Sequence, residues 1–117
     1  MKRDMNLIRE ILVEIEDAYN GRNRVQIHSV EGHSGIKVAY HVRLLVDAGY
    51  VNAGTINTSD GTTHLIRGIT WEGHEFLDAV RSENVWRRVQ KKLKEIGGQA
   101  SMITVKQLAI EAAKDVL

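Results

Sequence analysis

Apolar residues recur every three and four positions over most of this chain and alternate with polar ones over a shorter middle stretch. From Asp4 to Tyr19 the positions Met5, Ile8, Ile11, Leu12, Ile15 and Tyr19 form one stripe of an amphipathic helix, with Asp4 as its cap. Asn20-Gly21-Arg22-Asn23 ends it, because Asn and Gly tolerate left-handed backbone angles. Val25 to Val30 alternates and predicts a short strand, followed by a turn-rich connector, Glu31-Gly32-His33-Ser34-Gly35. From Ile36 to Ala48, Val38, Val42 and Leu45 share one helical face, with Ala39 and Val46 beside them, and Gly49 marks the end.

Two β-favouring stretches follow, Val51 to Thr58 and Thr63 to Thr70, joined by Ser59-Asp60-Gly61, where Asp-Gly predicts a tight hairpin turn at positive backbone angles. Thr70 then caps a helix that starts at Trp71 and turns Phe76, Leu77 and Val80 inward. Gly73 stands out in its first turn, since glycine costs about 1 kcal/mol against alanine in a helix, and its presence predicts the close approach of another backbone. Val85 or Trp86, Val89, Leu93 and Ile96 make a further stripe closed by Gly97-Gly98. Val105, Leu108, Ala109, Ala112 and Val116 make a last one, and Trp71, Phe76 and Trp86 are expected in the core.

The order predicts an α+β, mainly helical fold of the winged-helix kind: helix, short strand, recognition-type helix and β-hairpin wing, with additional C-terminal helices. The 117 residues suit one domain over 1–117, with a winged-helix core over 1–80 and a C-terminal helical extension over 83–117. With 43% apolar and 26% charged residues the composition is that of a soluble globular protein, and no apolar run is long enough to cross a bilayer. Met1-Lys2-Arg3-Asp4 leads into a charged amphipathic segment instead of a secretory signal, so a cytoplasmic location is expected. The absence of cysteine removes disulfides, thiolate metal sites and cysteine nucleophiles. Net charge is only +1, a weak footprint for phosphate binding, but its distribution is uneven. Glu10, Glu14, Glu16 and Asp17 contrast with Arg81, Arg87, Arg88, Lys91, Lys92 and Lys94 towards the other end.

A helix ending in Ala-Gly and followed at once by a hairpin is the arrangement in which a recognition helix enters a major groove while a wing touches the adjacent backbone. The segment from Ser34 to Val51 resembles the reading head of winged-helix regulators, and Ile69-Thr70-Trp71-Glu72-Gly73 is similar to the step by which many bacterial winged-helix repressors leave the wing. Over nearly the whole chain, the opening from Met1 to Arg9, the step Tyr40-His41-Val42-Arg43-Leu44-Leu45 and Thr70 to Asp78 together resemble an uncharacterised family of small phage and prophage winged-helix-like proteins. That resemblance implies a winged-helix-like fold and a mobile-element context, and carries over no catalytic or binding residues. The helix expected ahead of the reading helix is hard to find between Gln26 and Gly35.

If DNA is the partner, Lys37, Tyr40 and Arg43, with Leu44 beside them, face outward from the reading helix and suit base edges or phosphates, while Asp47 repels phosphate. His64 and Arg67 on the hairpin, and Arg87, Arg88 and Lys91 with their neighbours, would add backbone contacts. A transcriptional regulator of phage or prophage origin is the leading expectation. The alternative is a protein-interaction module working through Leu44, Val46 or the C-terminal helices, without nucleic acid. Those helices also suit a homodimer or packing within one chain.

Catalysis and cofactors find no support. His28, His33, His41, His64 and His74 lack ligand spacing, so no metal is expected; His41 reads as a packed or hydrogen-bonded helix residue, and His74 with Glu72 and Glu75 as a helix-start cluster. No carboxylate pair lies on an apolar face, and neither a phosphate-cradling glycine loop nor a serine-nucleophile elbow is present. The expectation is a non-enzyme without cofactor.

Overall fold

The computed structural model describes residues 1–116, with side chains described through Asp115. It is α+β and mainly helical. Seven elements follow one another: α1 (Met5–Ala18), α2 (Gly35–Asp47), β1 (Val51–Thr58), β2 (Gly61–Ile69), α3 (Trp71–Val80), α4 (Glu83–Glu95) and α5 (Met102–Val116). The contacts divide the chain between His74 and Glu75 into two compact units.

In the first unit α1 packs on α2 and on β2, and α2 packs on both strands. Helix α1 buries the expected Met5, Ile8, Ile11, Leu12 and Ile15, and also Leu7, while Tyr19 is half-buried. From α2 come Val38, Val42 and Leu45, and from the strands Val51 and Ile66. Each fully buried aliphatic side chain contributes about 1.5–3 kcal/mol, so this cluster is the main source of the unit's stability.

Side-chain caps set the helix starts. Asp4 Oδ1 accepts the Leu7 N–H (3.2 Å), Ser34 Oγ the Lys37 N–H (3.2 Å), and Thr70 Oγ1 the Gly73 N–H (3.0 Å). Gly49 ends α2 at φ +82°, which lets the Tyr50 N–H reach back to the Leu45 carbonyl (2.9 Å) and the Gly49 N–H to that of Val46 (3.1 Å).

Strands β1 and β2 form an antiparallel hairpin from Val51 opposite Ile69 to Thr58 opposite Gly61. A bulge at Asn52/Ala53 places Arg67 outside the one-to-one register. The turn differs from the expected Asp-Gly geometry: only Gly61 has a positive φ, and Thr58 Oγ1 closes the loop by accepting the Asp60 N–H and donating to the Gly61 carbonyl. The expected strand over Val25–Val30 contracts to one residue. Val25 exchanges two hydrogen bonds with Ile66 (3.0 and 2.8 Å), and the chain then leaves the sheet through a turn closed by the His33 N–H on the Val30 carbonyl. No helix lies between Ala18 and Gly35.

Gly73 meets its expectation. A Cβ built there would overlap the Tyr50 carbonyl oxygen and lie 2.5 Å from Ile69 Cγ2. The Thr70 hydroxyl, which caps α3, also donates to the Gly49 carbonyl (2.7 Å), so one threonine joins the end of α2 to the start of α3.

In the second unit α4 packs on α5. Phe76, Leu77 and Val80 of α3, Val85, Trp86, Val89 and Leu93 of α4, and Met102, Val105 and Ala109 of α5 are buried. Leu108 and Ala112 are half-buried, Ile96 is exposed just past the end of α4, and the side chain of Val116 lies outside the described residues. One aromatic expectation is overturned: Phe76 and Trp86 are core residues, but Trp71 is 77% exposed. At about 100° per residue, Trp71 lies on the side of α3 opposite Val80. No described helix is long and apolar enough to cross a membrane.

Candidate nucleic-acid interface

Helix α2 carries three of the expected contact residues, and they divide between two faces. Arg43 stands outward with its side chain 66% exposed, and its Nε lies 3.6 Å from Asp47 one turn on. Tyr40 is half-buried, its ring meeting that of His41 edge to face with centroids 5.8 Å apart. Lys37 does not stand outward. It lies one turn from the fully buried His41, and its Nζ is 2.8 Å from Asp4 Oδ2, the carboxylate that caps α1.

These groups form a latch between the two helices. The Asp4 N–H donates to His41 Nε2 (2.9 Å), and His41 Nδ1 lies 2.8 Å from the Lys37 carbonyl. A carbonyl oxygen only accepts, so the ring carries its proton on Nδ1 and leaves Nε2 as acceptor. Burial pushes the Asp4 carboxyl up, but the hydrogen bonds from Lys37 and the Leu7 N–H, with the charges of Lys37 and His33, outweigh it and hold Asp4 below its ordinary value.

On the hairpin, Arg67 is exposed and has no hydrogen-bond or carboxylate partner among the described residues. Its guanidinium lies over Gly54 of β1, where a Cβ would come within 3.0 Å of it. His64 is half-buried and lines a cleft shared with Ala39 and Val42 of α2. His28, which sequence reasoning left aside, lines the same cleft; its only signal in the sequence was its place in the strand-like stretch before the connector. Ile36, also passed over, is 78% exposed in the first turn of α2.

Within the second unit, Arg87 donates to Asn84 Oδ1 (3.2 Å), Arg88 lies 4.0 Å from Asp115, and Lys92 lies 3.6 Å from Glu95. Lys91 and Lys94 have no carboxylate partner among the described residues, so Arg87, Lys91 and Lys94 leave a cationic stripe along α4. The Val105 and Ala109 positions, which suited a dimer face, are buried in the packing of α5 within its own chain. No group of three or more His, Cys, Asp or Glu among the described residues could hold a metal ion.

Residues 2–100 match the family described as "Hypothetical protein (DUF2513)". The chain belongs to this family. The DUF2513 stretch takes in both strands and α1 to α4, and stops just short of α5. A Haemophilus influenzae protein named "Uncharacterized protein" is 32% identical over 109 residues, which covers 93% of this chain and 92% of that one, so the likeness extends into α5. No solved structure matches. For this DUF2513 chain the geometry brings Lys37, Tyr40, Arg43, His64 and Arg67 into the first unit, while Arg87, Arg88 and Lys91 belong to the second.

Proposed function

We propose that this chain is a DNA-binding protein of the winged-helix kind, a regulator that docks α2 in a groove and sets the β1–β2 hairpin against the neighbouring backbone. The observation that carries the reading is the open flank of α2, with Arg43 and Tyr40, beside a hairpin whose Arg67 has no acidic partner among the described residues. The pairing of Val25 with β2 supports it further, since it supplies a rudiment of the third strand expected between the first helix and the reading helix. The resemblance of the opening residues and of Thr70 to Asp78 to phage and prophage proteins supports a mobile-element origin, with action in the cytoplasm and no catalytic step.

Lys37 drops out of the contact set because its charge is satisfied by Asp4. The test is therefore duplex binding at low salt by wild type, Arg43→Ala and Arg67→Ala. Wild type should bind with salt-dependent affinity, and each variant should weaken binding and flatten the salt slope by about one unit per phosphate contact removed. Absence of binding at low salt, or affinity unchanged in the double variant, would overturn the reading. A protein-interaction module is the second reading, favoured by the exposure of Trp71 (77%) and Ile36 (78%), since aromatic anchors dominate such interfaces. Absence of duplex binding at low salt, with the fold intact, would move weight to it.

A further inference from the structure

A cleft of about 140 Å³ opens in the first unit where the 26–34 loop, the start of α2 and strand β2 meet. Ile27 and Val42 give it an apolar side, and its polar side is Gly35, His28, Thr62, Thr63 and His64, of which Thr62 already donates its hydroxyl to Asn57 Oδ1 (2.9 Å). No carboxylate lines it. Neither imidazole is engaged there: His28, His64 and the Thr63 hydroxyl make no side-chain hydrogen bond or ion pair among the described residues.

The chemistry of this lining is that of hydrogen-bond donors. An imidazole presents at least one N–H in every protonation state, a threonine hydroxyl can donate, and the first N–H groups of a helix have no intrahelical acceptor. Ser34 Oγ takes the Lys37 N–H and leaves that of Gly35, which borders the cleft, to other acceptors. Two imidazoles fall short of the three or four ligands a structural or catalytic metal takes, and no third ligand among the described residues joins them. A space this small, offering these donors and lined by no carboxylate, admits one tetrahedral oxyanion and excludes a nucleoside. We infer that the cleft between the 26–34 loop, α2 and β2 binds a single phosphate group through His28, His64 and Thr63. The inference holds whether that phosphate belongs to a duplex backbone or to a free phosphate or phosphomonoester.

The experiment is an amide and imidazole NMR titration of the full chain with inorganic phosphate at constant ionic strength. Saturable shifts are expected at Gly35, Thr63, His64 and the His28 ring, with sulfate competing for the same residues. The variant H28Q/H64Q should weaken binding at least tenfold, and Thr63→Val, a milder change, should weaken it several-fold if the double variant loses its fold. Shifts that never saturate, that saturate elsewhere, or that keep wild-type affinity in Thr63→Val would overturn the inference. Zinc binding to both imidazoles in preference to phosphate would overturn it too. Added duplex then separates the sources: displacement of phosphate from the cleft assigns it a backbone phosphate, and phosphate binding that survives a failure to bind duplex assigns it a free phosphate, with only the nucleic-acid reading lost.

Discussion

Replacing Gly73 by alanine tests the joint between the hairpin and α3. In a helix alanine gains about 1 kcal/mol over glycine, so propensity alone predicts a stabilised protein. The new methyl, however, would overlap the Tyr50 carbonyl oxygen and lie 2.5 Å from Ile69 Cγ2. Overpacking of this kind costs about 1–3 kcal/mol. The Tyr50 carbonyl also accepts the Thr70 N–H (3.1 Å), and moving it away puts that bond, worth about 1 kcal/mol, at risk. The balance is a net loss of about 2 kcal/mol. For a chain of this length each kcal/mol shifts Tm by roughly 3–6 °C, so Gly73→Ala should melt roughly 6–12 °C lower in far-UV circular dichroism. Gly35→Ala is the matched control, because its Cβ would sit at an ordinary 3.7 Å from the His28 carbonyl oxygen, so it should leave stability unchanged or raise it by up to about 1 kcal/mol. A Gly73→Ala protein as stable as wild type would refute the close approach.

Asp4→Asn keeps a capping side chain and removes the charge, so at neutral pH it should cost about 0.5–1 kcal/mol through the lost Lys37 pair. Because the folded-state value of Asp4 is lowered from 3.8, its ionised form stabilises the fold above that value, and the benefit fades as the pH falls through the folded value. Urea midpoints across that acid range should therefore converge for wild type and variant, and a gap independent of pH would contradict the latch. Acrylamide quenching should reach Trp71 and spare the buried Trp86, so Trp71→Phe should remove most of the quenchable fluorescence; equal quenching before and after would put Trp71 in the core. Gly49→Ala forces a side chain into the left-handed region at φ +82° and should cost about 1–2 kcal/mol by urea unfolding, with Gly49→Asn costing less.

The helices were legible from their apolar stripes, helped at α1 and α3 by the caps Asp4 and Thr70 and at α1, α2 and α4 by the stops Asn20-Gly21, Gly49 and Gly97-Gly98, whereas the Ser34 cap of α2 had been read as part of the connector. The hairpin was legible from its turn, although a threonine side chain closes it in place of a positive φ at Asp60. Val25 to Val30 misled because alternation reports a face and not a partner. Only Val25 reaches β2, and nothing local to the sequence says that the chain then turns away. Trp71 misled because aromatic size suggests burial, whereas its angular distance from Phe76 and Val80 on the same helix points outward. Lys37 was legible in principle, since it stands four residues before His41 and so shares that residue's face; what the sequence hid was the carboxylate 33 positions upstream that meets it.

That latch also limits how a duplex would be held. With Lys37 joined to Asp4, the open flank of α2 offers one cation, Arg43, and that one is shared with Asp47. On α2 and the hairpin, phosphate neutralisation then rests on Arg43, Arg67 and whatever the His28/His64 cleft contributes. Residues 1–74 hold eight Lys and Arg against nine Asp and Glu, so there is no surplus positive field to draw DNA in from a distance. A docking built on two or three phosphate contacts has a salt slope of about −2 to −3 and fades quickly above physiological ionic strength. Any strong preference for one site would then come from Tyr40 and Ile36 against base edges and from the fit of the hairpin, which makes the apolar and aromatic positions of α2, more than its cations, the place where specificity would be lost on mutation.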